Sequence, residues 1–137
     1  MNKLTRRTFL GSSAFLSVAG VFGFMPALSK SRQKKKNMFV HHVYFWLKNP
    51  DSAADKAKLI EGLNTLKAIK QIKLAHIGVP ASTNREVIER GYAVSWLLFF
   101  DNQQQQDVYQ EHPVHLKFVE NYAHLWEKVI VYDSVDA

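Results

Sequence analysis

The stretch Met38-Phe39-Val40-His41-His42-Val43-Tyr44-Phe45-Trp46-Leu47 consists largely of β-forming residues and is apolar at both parities. In an extended chain Met38, Val40, Tyr44 and Trp46 fall on one side, and Phe39, Val43, Phe45 and Leu47 on the other. A strand of this kind needs cover on both faces. Residues 91–100 repeat the pattern, with Tyr92, Val94, Trp96, Leu98 and Phe100 opposite Ala93, Ser95, Leu97 and Phe99. Any architecture for this chain must hide both faces of these two strands.

Between them, Lys48-Asn49-Pro50-Asp51 breaks the first strand, and Asp51 or Ser52 can cap a helix. Leu59, Ile60, Leu63, Leu66 and Ile69 then recur at helical spacing, with Lys56, Lys58, Glu61 and Lys67 on the outer side. Residues 71–79 alternate as a second strand, and Gly78-Val79-Pro80 opens a polar loop reaching Arg90. After the third strand, Asp101 or Asn102 caps a short helix running to about Gln110. Pro113, whose missing N–H costs nothing in a first helical turn, opens another to about Leu125. Residues 128–132 form the last strand.

The resulting order, β-α-β-β-α(α)-β, is that of a ferredoxin-like α+β unit with one extra short helix and an antiparallel sheet. Helices on one side of a single sheet leave the second apolar face of strands one and three in water, and large patches of that kind mark association sites. Two protomers packed sheet on sheet solve this, so a homodimer is expected.

The chain has 137 residues, no cysteine and 47% hydrophobic content, which suits one compact domain and excludes disulfide frameworks, thiolate metal sites and cysteine nucleophiles. Its 18 basic residues outnumber 12 acidic ones, but unevenly. Three lie in residues 1–29 and five in residues 30–37, where no acid occurs; residues 38–137 carry a net charge of −2. A mildly acidic domain has no electrostatic reason to bind nucleic acid.

Thr5-Arg6-Arg7-Thr8-Phe9-Leu10, followed by an uncharged run diluted with glycine and serine, resembles a twin-arginine export signal. Ala27 and Ser29 supply the small residues for cleavage before Lys30. The expectation is a signal peptide over residues 1–29, a basic linker over 30–37, and a domain over 38–137 that works outside the cytoplasm. Contact with a membrane would arise only through an uncleaved leader.

The chemistry concentrates in Tyr109-Gln110-Glu111-His112-Pro113-Val114-His115. Histidine titrates near neutrality, so His115, in the first turn of the helix that Pro113 opens, can take a proton from a carbon next to a carbonyl. Tyr109, at the end of the preceding helix, can donate its phenol to the developing enolate oxygen. Held extended by Pro113, His112 can cap or turn the chain. His42 is polar on an apolar strand and needs a partner or a pocket; His41 points the other way, toward the expected dimer interface, and His76 can share the face of His42. His42, His112, Trp96 and Phe118 are the candidate binding residues around the catalytic candidates Tyr109 and His115. No His-x-Glu or His-Glu-x-x-His element is present, so neither a metal nor a cofactor is expected.

Together, Val40-His41-His42-Val43-Tyr44-Phe45-Trp46-Leu47-Lys48, Glu89-Arg90-Gly91-Tyr92, the Tyr-x-x-His-Pro-x-His element and Trp126-Glu127-Lys128-Val129-Ile130-Val131-Tyr132-Asp133 resemble the stress-responsive α/β-barrel (Dabb) family over nearly all of residues 38–137. The resemblance implies a dimer closed into an α/β barrel. One plant branch is a polyketide cyclase performing a metal-free, cofactor-free aldol condensation; by motif, Tyr109 and His115 occupy its catalytic pair, and His42 its first-strand pocket histidine. A further pocket histidine of that branch is Val94 here. Three functions stay open: acid–base chemistry of the enolisation, aldol or cyclase type on a small apolar carbonyl ligand, a non-enzymatic stress-linked dimeric module, or a haem-handling or monooxygenase-like barrel.

Overall fold

The computed structural model describes residues 37–137. The expected twin-arginine leader and nearly all of the basic linker lie outside them. In chain order the elements are β1 (Phe39–Leu47), α1 (Ala53–Leu66), β2 (Leu74–Gly78), β3 (Val94–Phe100), α2 (Gln103–Gln110), α3 (Pro113–Tyr122), a 3₁₀ turn (Ala123–Leu125) and β4 (Trp126–Val135). The strands form one antiparallel sheet in the order β2-β3-β1-β4. This is the expected ferredoxin-like topology.

Each helix starts where a side chain can satisfy a free backbone N–H. Ser52 Oγ accepts from Asp55 N at 3.1 Å and Asn102 Oδ1 from Gln105 N at 3.0 Å. His112 Nδ1 accepts from Val114 N at 3.2 Å, with Pro113 in the first turn of α3.

Three strand boundaries differ from the sequence reading. β2 begins at Leu74 instead of residue 71, because backbone turns continue past α1, with Ile69 N bonded to Leu66 O and Ile72 N to Ile69 O. This winding buries Ile69. β3 begins at Val94, and the preceding Tyr92 packs against Tyr44, ring centroids 4.9 Å apart, away from the side of Trp96. β4 extends from Trp126 to Val135 because β1 offers it partners along its whole length, from Leu47 opposite Trp126 to Phe39 opposite Val135. Ladder hydrogen bonds outweigh the poor strand preference of Asp133 and Ser134.

One core lies between sheet and helices. Phe39, Val43, Phe45 and Leu47 of β1 and Val94, Trp96, Leu98 and Phe100 of β3 pack with Leu59, Leu63 and Leu66 of α1, Tyr109 of α2 and Phe118 of α3. The helices α1 and α3 meet at Gly62, where a Cβ would lie 2.8 Å from the ring of Tyr122. The other sheet face carries Val40, His42, Tyr44 and Trp46 with Leu97 and Phe99, all partly exposed, and the exposed Leu74 and Tyr132. No element among the described residues covers it.

Candidate functional site

A cavity of about 150 Å³ opens between the sheet and the helices α2 and α3, with His41, Trp96, Tyr109, His115 and Phe118 in its wall. Tyr109 comes from the last turn of α2 and His115 from the first turn of α3, on the two sides of the Glu111-His112 link; their ring centroids lie 4.7 Å apart. The tight connection follows from Pro113, which cannot continue α2 but can begin α3.

Hydrogen bonding prepares each group. Trp96 is a donor only, and its Nε1 lies 3.2 Å from the Tyr109 oxygen. Tyr109 therefore accepts from Trp96 and keeps its own O–H proton for another partner. Burial pushes the Tyr109 phenol up to about 12, the Trp96 bond pulling the other way. His115 Nδ1 lies 3.0 Å from the Gln110 carbonyl oxygen. A carbonyl only accepts, so Nδ1 holds the proton and Nε2 of the neutral ring carries the lone pair. Burial is the larger influence on His115 and lowers its pKa; the Gln110 bond raises it, and His41 and His112 nearby lower it further.

The two first-strand histidines exchange the places expected of them. His41 shares the parity of Phe39, Val43, Phe45 and Leu47, is buried, and lines the cavity with its ring 6.0 Å from that of Tyr109. His42 lies on the opposite face, away from Tyr109 and His115, its Nδ1 3.1 Å from the Tyr44 hydroxyl. There its row across the sheet runs through Leu97 to His76. Burial, then His76 and His41, lower the pKa of His42. By parity His41 stands with wholly apolar neighbours, whereas those of His42 include Tyr44 and Trp46, amphipathic residues typical of an interface; packing of the helices on the His41 side decides between the two faces.

Of the remaining candidates, Trp96 and Phe118 line the cavity, and Phe118 is stacked on Trp126 at 5.8 Å. His112 does not line it; its ring nitrogen caps α3. Asp133, which no motif singled out for a role, places Oδ1 2.6 Å from His41 Nδ1. Only the β1–β4 register reveals this pair. A larger hollow of about 500 Å³, lined by Tyr44, Trp46, Glu89, Tyr92, Lys128, Ile130 and Tyr132, lies on the open sheet face, remote from Tyr109 and His115. Among the described residues no group of three or more His, Asp or Glu side chains could hold a metal ion, and no helix is long and apolar enough to cross a membrane.

Solved structures share this fold. A Dabb family protein with a ferredoxin-like fold from Mesorhizobium loti is 22% identical, with a TM-score of 0.62 over 74% of this chain and 98% of that one. A dimeric ferredoxin-like protein from Thermobifida fusca is 17% identical, with a TM-score of 0.61 over 74% and 92% of the two chains. The hydroxynitrile lyase from Passiflora edulis is 18% identical, with a TM-score of 0.62 over 74% and 95%. No curated protein matches the chain. Residues 39–136, the whole sheet and every helix described above, match the stress responsive A/B barrel domain, and the chain belongs to that family.

Proposed function

We propose that this protein is an exported homodimer whose cavity in each protomer binds a small apolar carbonyl compound and moves a proton without a cofactor. The carrying observation is the pairing of Tyr109 and His115 in one cavity wall with complementary free capacity. His115 offers the Nε2 lone pair to a proton on the carbon beside the carbonyl, and Tyr109 offers its O–H to the oxygen where negative charge develops. Burial lowers the pKa of His115 and so favours the neutral ring that a base requires. The apolar wall of Val43, Phe45, Phe118 and Trp126 suits an uncharged ligand. That one solved relative of this fold is a hydroxynitrile lyase supports chemistry on such a scaffold.

Homodimerisation is supported by the uncovered face of β1 and β3 and by the dimeric state of the Thermobifida relative. Export is supported by Arg6-Arg7 and the uncharged run after them; the N-terminus of protein recovered from an exporting host, read by intact mass, tests it.

The chemistry is tested with phenylacetone in D₂O, following α-proton exchange by NMR. Exchange above background that is lost in His115→Ala and reduced in Tyr109→Phe, both folded, is the expected result. Exchange indifferent to both substitutions would leave the non-enzymatic dimer as the better account.

A further inference from the structure

His41 and Asp133 are directly opposed across β1 and β4, on the sheet face turned to the helices. The His41 side chain is only 4% exposed, whereas that of Asp133 is 45% exposed. A carboxylate accepts and does not donate, so the 2.6 Å contact assigns a proton to His41 Nδ1, and Nε2 is the ring atom left to accept. His115 reaches the same tautomer by another route, through the Gln110 carbonyl. The cavity wall thus holds two histidines whose Nε2 is the accepting nitrogen, and the ring of Tyr109, the donor, lies 6.0 Å from one and 4.7 Å from the other. Enolising a plain ketone uses one acceptor and one donor. The second acceptor calls for another hydrogen on the ligand.

We infer that Asp133 is a positioning residue that holds His41 as the acceptor for a ligand hydroxyl, so that the site takes α-hydroxy carbonyl compounds; this rests on the proton-transfer reading of Tyr109 and His115. The carbinol C–H proton passes to His115 Nε2, its electron pair forms the carbon–carbon double bond, and the carbonyl π pair moves to the oxygen that takes the Tyr109 proton. The hydroxyl proton passes to His41 Nε2 as that oxygen becomes a carbonyl, and His115 returns its proton to the neighbouring carbon. The product is the isomeric hydroxy carbonyl compound. The proton gained by His41 restores the Tyr109 phenol before the next turnover, so no oxidant, reductant or leaving group enters.

The test uses the full chain with hydroxyacetone and methoxyacetone, which differ in whether the α-oxygen carries a hydrogen. Deuterium entry at the oxygen-bearing methylene is followed by NMR, and the histidine tautomers by ¹⁵N spectra. Hydroxyacetone is expected to exchange at least about tenfold faster than methoxyacetone, each relative to its background. Asp133→Ala moves His41 to the Nε2–H tautomer and brings that ratio to within about twofold of one. Asp133→Asn, whose amide oxygen still accepts from Nδ1–H, keeps most of the ratio. An unchanged ratio and tautomer in folded Asp133→Ala would overturn the inference. If the wild-type chain exchanges neither probe, the proton-transfer reading fails by itself. Hydroxyacetone must then still shift the His41 Nε2 resonance in the wild type and not in Asp133→Ala; without that difference the inference fails as well.

Discussion

Trp96 Nε1 donates to the Tyr109 hydroxyl oxygen at 3.2 Å, joining the middle of β3 to the end of α2, with both side chains about 1% exposed. This bond satisfies the buried indole N–H and sets which half of the phenol faces the cavity. Tyr109→Phe leaves that N–H without a partner, which costs about 1–3 kcal/mol. Chemical denaturation of the variant reads the loss.

The same phenol makes stability depend on alkaline pH. Its folded pKa of about 12 lies above the ordinary value of 10.0, so between these limits the unfolded chain ionises while the folded one holds its proton. The folded state then binds more protons, and stability falls as pH rises through the window, by roughly 3 kcal/mol in total for this group. The Tyr109→Phe variant should lack this component of the alkaline decline, measured as denaturant midpoint against pH.

For His115 the sign is opposite. Its folded pKa lies below the ordinary 6.5, so the folded state favours the neutral ring; this contribution is present above that value and is lost as pH falls through the lowered one. The base form persists over the same range. Exchange of phenylacetone should hold a plateau at neutral pH and decline along an acid limb whose midpoint lies below 6.5. A midpoint above that value would contradict the assignment of His115 as the base.

On the open face, Leu97 and Phe99 of β3 stand beside His42 and Val40 of β1. Placing a charge there is costly if a second copy covers it and nearly free if water does. Leu97→Glu and Phe99→Glu are therefore expected to convert a dimer to monomers in sedimentation velocity runs while the helical circular dichroism is kept. A dimer that survives both would place the interface elsewhere.

Gly62 tests the helix packing. Alanine gains about 1 kcal/mol over glycine inside a helix, but its Cβ would sit 2.8 Å from the Tyr122 ring. That ring is stacked on Phe118 at 5.5 Å, so it cannot retreat freely. Overpacking of this kind costs typically about 1–3 kcal/mol. Gly62→Ala should lower the melting temperature despite the better helix former, and Gly62→Ala combined with Tyr122→Leu should recover part of the loss.

The element order, the helix starts capped from Asp51 or Ser52 and from Asp101 or Asn102, the turn at Pro113 and the closeness of Tyr109 to His115 were legible from residue order, because each depends on neighbours within a few positions along the chain. The two-faced apolar character of β1 and β3 was legible for the same reason: alternation is a local property. Which parity of β1 faces the helices was not, since His41 and His42 differ by one residue and either face could carry the helices. That choice came from packing, as α1, α2 and α3 settle on the side of Phe39, Val43, Phe45 and Leu47. The full length of β4, the Trp96–Tyr109 bond and the His41–Asp133 pair likewise depend on strand register and on contacts between distant residues. His41 and Asp133 are 92 positions apart in sequence, and their 2.6 Å contact exists because β1 and β4 lie side by side in one register.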